Sequence, residues 1–164
     1  MRSLSAFLIG WVLLPVGVNQ PGAFAAPAAA GDPLGVLAHK IFTLANRQRR
    51  LHGLRQLEWN DAVAEQARQH SLRMMEHGFF AHSDPVRGPL GARLHAAKIG
   101  WSRCAENIFR EQGMDDPADA AIDGWMSSPP HRRSVLDPLF TQTGVGIAIS
   151  PDTEYFITQE FIRP

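Results

Sequence analysis

The feature that most constrains the fold is a strict alternation of residues near the end of the chain. From 144 to 149, glycine and alanine at even positions alternate with valine and isoleucine at odd positions. The same period of two returns in Tyr155, Ile157, Gln159 and Phe161, after the turn 150–153. This period is typical of β-strands and predicts a β-hairpin. The small residues on one face of its first strand predict that a helix approaches the sheet closely.

Upstream of the hairpin, the apolar period is helical. Apolar residues at helical spacing predict a first amphipathic helix from Leu34 to Arg49. A second helix is predicted from Asp61 to His77, because Asn60 is a good N-cap and Gly78 follows the last turn. The residues predicted on the inward face of this helix are Val63, Ala67, His70 or Ser71, and Met74.

Between these regions the sequence predicts shorter elements. A loop from 79 to 88 precedes a short helix from Pro89 to Ile99, and a short strand follows from Ala105 to Phe109. Another helix begins at Pro117 with Asp116 as its cap, Ser128-Pro129-Pro130 ends it, and a helical turn follows over 131–136. Helices early and strands late imply the α+β class.

The first 25 residues differ in composition from the rest of the chain. A single early charge, Arg2, precedes an apolar run from Ala6 to Val18, and small residues follow at 23–25. This pattern predicts a signal peptide over 1–25, a loose leader over 26–33 and one domain over 34–164. A membrane anchor is the alternative, but the run is shorter than the roughly 18–20 apolar residues that span a bilayer. We therefore expect a secreted or periplasmic protein with no stable membrane span after cleavage.

Charge and cysteine content exclude several classes of function. The chain has 16 basic and 16 acidic residues, and removal of Arg2 with the signal peptide leaves a formal charge of 15 − 16 = −1. We therefore expect no nucleic-acid partner. Cys104 is the only cysteine, so we expect it to be a small packing residue rather than a nucleophile. The metalloprotease His-Glu-x-x-His helix, the Gly-x-Ser-x-Gly elbow and a phosphate-binding glycine loop are absent from the sequence.

Three polar residues stand in distinctive local contexts. His82 lies in Ala-His-Ser-Asp-Pro, Glu106 in Ala-Glu-Asn-Ile, and His131 in Trp-Met-Ser-Ser-Pro-Pro-His-Arg. This ordered series, followed by a Gly-Val-Gly strand and the closing Gln159-x-Phe161, resembles the bacterial domains of the CAP superfamily. That superfamily includes cysteine-rich secretory proteins, antigen 5 and plant pathogenesis-related 1 proteins. The similarity extends from Leu37 to Phe161.

The resemblance implies an α-β-α sandwich with a small central antiparallel sheet and a cleft that carries a His, Glu, Glu, His tetrad. His82, Glu106 and His131 match three members of the tetrad. Ser128 stands where the second glutamate is expected, so the tetrad is incomplete, and Ser128 and Asn107 are supporting residues. Two imidazoles and a carboxylate suit a divalent cation, zinc above all.

These residues leave several functions open. The first is an exported binding module that holds a cation in the cleft and, as the resemblance implies for some members, a lipid or other apolar molecule between helices. The second is a metal-dependent hydrolase of peptide or cell-wall substrates with Glu106 as base, which the loss of a carboxylate at Ser128 disfavours. The third is an envelope protein that acts through a protein partner. The three residues can also be a scaffold that fixes loops to the sheet. The remaining histidines are expected to be surface or packing residues: His39, His52, His70, His77 and His95.

Overall fold

A computed structural model describes residues 31–164. The predicted signal peptide and residues 26–30 of the predicted leader lie outside the described residues. The helices are α1 (Pro33–Leu51), α2 (Asp61–His77), α3 (Leu90–Ala96), α4 (Pro117–Ser127) and α5 (Pro129–Leu136). The strands are β1 (Glu58–Trp59), β2 (Arg103–Gln112), β3 (Gln142–Ile149) and β4 (Glu154–Arg163).

The four strands form one sheet in the order β1-β3-β4-β2. The predicted hairpin is confirmed as β3 and β4, and β2 pairs with β4 along its whole length. These three strands are antiparallel, whereas the two-residue β1, which the sequence did not predict, pairs with β3 in parallel. Within residues 31–164, β2 therefore lies at one edge of the sheet and β1 at the other.

Helices cover both faces of the sheet. On one face, α1, α4 and α5 pack against odd-numbered residues of β3 and β4, such as Val145 and Ile157. On the other face, α2 and α3 pack against even-numbered residues, such as Ala148 and Ile162. We call these the α5 face and the α2 face. The expected α+β sandwich is confirmed.

The glycines of β3 allow α2 to lie directly on the sheet. A Cβ atom at Gly144 would lie 2.1 Å from the backbone nitrogen of Ala64, and one at Gly146 would lie 1.8 Å from that of Arg68. Only glycine fits at such separations. The close approach predicted from the alternation is confirmed.

Helix boundaries follow local capping. Asn60 accepts a hydrogen bond from the backbone N–H of Val63 at 3.1 Å, and Gly78 ends α2 in the left-handed conformation with φ of 66°. Asp32 caps α1, which begins at Pro33, the last residue of the predicted leader. Ser128 is the single residue between α4 and α5, because Pro129 suits the first position of a helix.

No helix within the described residues has the length and apolar character needed to cross a membrane. Cys104 is half-buried and packs beside the α2-face cluster that includes Leu94 and Ile162. Burial raises the pKa of its thiol, which disfavours the thiolate and fits the expected packing role.

Candidate functional site

The candidate site lies at the edge strand β2. Glu106 and Asn107 are consecutive residues of this strand, so their side chains point to opposite faces of the sheet. Glu106 contacts His82, which precedes α3 on the α2 face, at 2.9 Å. The Nδ2 atom of Asn107 donates a hydrogen bond of 3.1 Å to the backbone oxygen of His131, at the start of α5. The two histidines thus come from opposite layers and meet around the edge of the sheet.

A buried aspartate holds the loop that carries His82, residues 79–88. Asp84 is 2% exposed, and its Oδ1 accepts hydrogen bonds of 2.8 Å from the backbone N–H groups of Val86 and Arg87. The guanidinium of Arg73 on α2 binds the same carboxylate and holds its pKa well below the usual range. At the start of the loop, the Nε2 of His70 makes a hydrogen bond of 3.0 Å with the backbone oxygen of Ala81. The backbone around His82 is therefore fixed on both sides.

The Glu106 carboxylate has a partner on each of its oxygens. Its Oε1 contacts the Nδ1 of His82 at 2.9 Å, and its Oε2 accepts a hydrogen bond from Nη2 of Arg93. Arg93 Nη1 also donates to the backbone oxygen of His82 at 2.7 Å. The Glu106 side chain is 3% exposed, whereas that of His82 is 57% exposed. Glu106 therefore fixes the orientation of a solvent-facing imidazole and leaves its Nε2 available.

His131 lies close to His82. The centroids of the two rings are 6.3 Å apart, with an angle of 54° between the planes. Burial, and secondarily the charge of His82, lower the pKa of His131, which favours the neutral imidazole that a metal ion requires. Ser128 serves as the N-cap position of α5, but its hydroxyl makes no capping hydrogen bond.

The main residues that sequence reasoning missed are Arg93 and Glu160. Glu160 is the cross-strand partner of Glu106 and lies on the same face of the sheet. Its Oε1 accepts hydrogen bonds from Gln66 at 3.0 Å and from Arg93 at 3.3 Å. Within the described residues its Oε2 has no partner. Burial, together with the charge of Glu106, raises the pKa of Glu160 to about 8.

The donor set suits a cation only in part. Two imidazoles that share a tetrahedral zinc through bonds of about 2 Å have ring centres roughly 5 Å apart, so the 6.3 Å observed here would have to shorten by about 1 Å. Glu106 already has both oxygens engaged. No group of three or more His, Cys, Asp or Glu side chains in residues 31–164 is arranged to hold a metal ion. The arrangement thus offers two imidazoles as possible metal ligands, and Glu106 contacts the imidazole of His82.

Comparisons with known proteins point to one family. A family model of the cysteine-rich secretory protein family, CAP, matches residues 42–161. YlbC, an uncharacterized membrane protein of Bacillus subtilis, is 37% identical over 124 residues, which are 76% of this chain and 34% of YlbC.

Two solved structures share the fold. An extracellular SCP-domain protein of Bacillus anthracis is 32% identical with a TM-score of 0.71, over 87% of this chain and 45% of that protein. A crystal structure of NaASP2 with Zn²⁺ is 13% identical with a TM-score of 0.59, over 84% of this chain and 83% of that one. The chain spans about a third of YlbC and less than half of the Bacillus anthracis protein.

Proposed function

The chain belongs to the cysteine-rich secretory protein (CAP) family, and on that premise we propose that it is an extracellular binding module for a divalent cation. Neutral imidazoles suit zinc, and copper and nickel are the competing ions. His82, through Nε2, and His131 would hold the ion. When bound, the ion supplies a positive charge that an anionic or carbonyl-bearing partner can contact.

The observation that carries this proposal is the contact between His82 Nδ1 and Glu106 Oε1 at 2.9 Å. Histidines that bind metals commonly donate their second ring N–H to a carboxylate, which fixes the tautomer and the ring orientation. The sequence predicted Glu106 as a third ligand. Its contacts favour an orienting role instead, because Arg93 occupies the oxygen that His82 does not.

The hydrolase alternative is less favoured by the same contacts. A general base needs an oxygen that can take a proton from water, and both oxygens of Glu106 are engaged by His82 and Arg93. Ser128 provides no second carboxylate. If zinc-loaded protein cleaves peptide, ester or cell-wall substrates and a chelator abolishes the cleavage, the hydrolase replaces the binding module.

Calorimetric zinc titration of the purified chain tests the cation site. We expect saturable binding in the parent protein and none in the His82→Ala/His131→Ala double variant. The His77→Ala/His95→Ala variant is the control, because it likewise removes two imidazoles, both of them exposed and outside the site. Glu106→Gln is expected to weaken binding by about 10–100-fold, as loss of an orienting carboxylate does. Equal binding by the two double variants would exclude the proposed site.

Location, apolar ligands and protein partners belong to the proposal as well. The predicted signal peptide and the extracellular SCP-domain protein of Bacillus anthracis support export. An apolar ligand between helices is supported by a groove of about 710 Å³ between the end of α4, α5 and residues 137–139, which Met126, Leu136 and Leu139 line. If the chain instead acts through an envelope partner, it should remain on envelope fractions when His82 and His131 are both alanine.

A further inference from the structure

The side chain of Arg93 joins the two ends of the contact between His82 and Glu106. Its Nη1 atom donates a hydrogen bond of 2.7 Å to the backbone oxygen of His82, and its Nη2 atom donates to Oε2 of Glu106. The Oε1 atom of the same carboxylate contacts Nδ1 of His82 at 2.9 Å. The backbone of His82, the guanidinium, the carboxylate and the imidazole therefore form a closed circuit of contacts, in which the imidazole and the carboxylate cannot turn independently.

Arg93 is itself held by buried neighbours. It lies on α3, whose Leu90 and Leu94 belong to an apolar cluster of the α2 face. Its Nη2 also donates to Oε1 of Glu160 at 3.3 Å, and Gln66 donates to the same oxygen at 3.0 Å. The Arg93 side chain is 1% exposed, and close packing leaves such a side chain few alternative rotamers. The guanidinium is therefore a rigid support for the groups that it contacts.

These contacts require the shape of a guanidinium. Nη1 of Arg93 faces the backbone oxygens of His82 and Gly88, at 2.7 and 3.4 Å, whereas Nη2 faces the two carboxylates. A lysine ammonium is a single donor atom on a flexible stem, so it cannot serve both sets of acceptors at once. Arg93→Lys therefore keeps the positive charge and loses one set of contacts.

Stability alone gives no reason for this arrangement. Arg93 is buried with two carboxylates, Glu106 and Glu160, and the cost of taking such charges out of water can exceed the attraction between them. Apolar residues of similar volume would fill the same space without that cost. What the charged cluster provides beyond packing is one fixed orientation of His82, in which Nδ1 faces Glu106 and Nε2 is left free.

We propose that Arg93 is a positioning residue of the candidate site: it holds the His82 backbone and the Glu106 carboxylate together and thereby selects the Nδ1–H tautomer of His82. This tautomer leaves the lone pair of Nε2 for a cation. Arg93 acts through Glu106 rather than on the cation. The inference deepens the proposed function and rests on it for the effect on cation affinity, whereas the effect on the imidazole needs no bound ion.

Nitrogen-15 NMR of the imidazoles in the metal-free chain tests the inference, because ring nitrogens with and without a proton resonate far apart. The spectra are recorded at about pH 7.5, where an ordinary imidazole is neutral, and His82→Ala identifies the His82 signals. We expect the Nδ1–H tautomer to dominate at His82 in the parent and its share to fall about twofold or more in Arg93→Lys. Calorimetric titration of Arg93→Lys should show zinc affinity lowered by about tenfold.

Arg49→Lys is the matched control. Arg49 is also fully buried, and its guanidinium binds backbone oxygens, including those of Arg55 and Val135, without contact to Glu106. We expect Arg49→Lys to lose stability in urea unfolding and to keep the His82 tautomer of the parent.

A second variant covers the case in which Arg93→Lys does not fold. Arg93→Gln/Glu160→Gln removes the guanidinium together with one of its two buried carboxylates, so fewer buried charges lack a partner. We expect the same fall in the Nδ1–H tautomer of His82, because neither glutamine can hold the His82 backbone and Glu106 together as a guanidinium does.

Contrary results separate this inference from the cation site. A folded Arg93→Lys protein with an unchanged His82 tautomer would show that Arg93 only anchors the loop, and it would overturn the inference even if the parent binds zinc. An equal loss of the tautomer in Arg49→Lys would also overturn it, because the effect would then follow from lowered stability. Loss of the tautomer in Arg93→Lys alone, in a chain that binds no zinc, would support the positioning role and overturn the cation function.

Discussion

Two carboxylates and one guanidinium share a buried space under the candidate site. The side chains of Glu106, Glu160 and Arg93 are each at most 3% exposed. A buried carboxylate beside another carboxylate is costly to ionise. A proton on Glu160 leaves the three groups without net charge, which fits its pKa of about 8.

The proton on Glu160 predicts that stability falls as pH rises. The folded-state pKa of about 8 lies above the ordinary value of 4.5, so the folded state binds this proton more tightly than the unfolded state does. The contribution of this proton to the free energy of unfolding is greatest below pH 4.5 and is lost as the pH rises towards 8. Glutamine at this position does not ionise. We therefore expect the free energy of unfolding of Glu160→Gln, relative to that of the parent, to be a few kcal/mol more favourable at pH 8 than at pH 5.

Urea unfolding of both proteins at pH 5 and pH 8 measures this difference directly. His70 and His131 titrate in both proteins, so their effects cancel in the comparison. Glu76→Gln, which replaces an exposed carboxylate on α2, should follow the parent at both pH values. An identical pH dependence in the parent and Glu160→Gln would show that Glu160 is ionised in the folded protein at neutral pH.

Some site residues could be predicted from their local sequence, and others could not. Glu106 stands in a distinctive Ala-Glu-Asn-Ile segment, whereas Arg93 lies in a short helix with no such context. The period of two places Glu160 on the same strand face as Phe156, a face that packs against α2. A charge on a buried face demands a partner, but that partner, Arg93, is 67 residues away in the chain. No local pattern could have identified it.

At the scale of elements, α2, β2 and β1 show why some boundaries were predictable and others were not. The predicted limits of α2 agree with the structure because both ends carry local signals, Asn60 and Gly78. β2 was predicted as five residues and has ten, because its outer residues depend on pairing with β4 rather than on their own sequence. β1 is only two residues long and depends wholly on β3, so no periodicity could reveal it.

The packing of α2 on β3 predicts a strong effect of one added methyl group. Gly146→Ala would place its Cβ 1.8 Å from the backbone nitrogen of Arg68, and a helix backbone cannot move aside as a side chain can. We expect the free energy of unfolding to fall by about 3 kcal/mol or more, at the upper end of overpacking effects.

Denaturant unfolding of Gly146→Ala measures this cost. Gly100→Ala is the control, because a Cβ there meets nothing within 4 Å, and we expect its unfolding free energy to stay within about 0.5 kcal/mol of the parent. A Gly146→Ala protein as stable as the parent would contradict the close packing of α2 on the sheet.

At the scale of the whole molecule, the site depends on the strand order. His82 and His131 belong to opposite layers, and they can meet only because β2 is the edge strand of the described sheet. The sequence predicted the residues and, by resemblance, a common cleft. It did not reveal the strand order, because that order depends on pairings between distant segments.

The hydrogen bond between β2 and the start of α5 predicts that a substitution in the sheet weakens cation binding. Asn107 is fully buried, and its Nδ2 links β2 to the backbone of His131. Asn107→Ala should weaken zinc affinity by about tenfold, because α5 loses the hydrogen bond that positions His131.

The control for Asn107→Ala is Thr158→Ala. It removes a buried hydrogen bond of 2.8 Å with Ser71 inside the α2 face, so it should lower stability by about 1–3 kcal/mol with zinc affinity unchanged. Calorimetric titration and urea unfolding of both variants separate the two effects. Zinc affinity unchanged in Asn107→Ala would show that α5 holds His131 without this link.

The position of β2 also bears on self-association through the open edge of the sheet. An edge strand presents unpaired N–H and C=O groups that can recruit strands from other molecules. Here the centre of β2, at Asn107 and Ile108, is buried rather than open to solvent. The loop that carries His82 and the first turn of α5 approach this edge from the two layers. The same segments that assemble the candidate site therefore lie beside the buried centre of this edge strand, and we expect a chain that lost them to pair more readily through it.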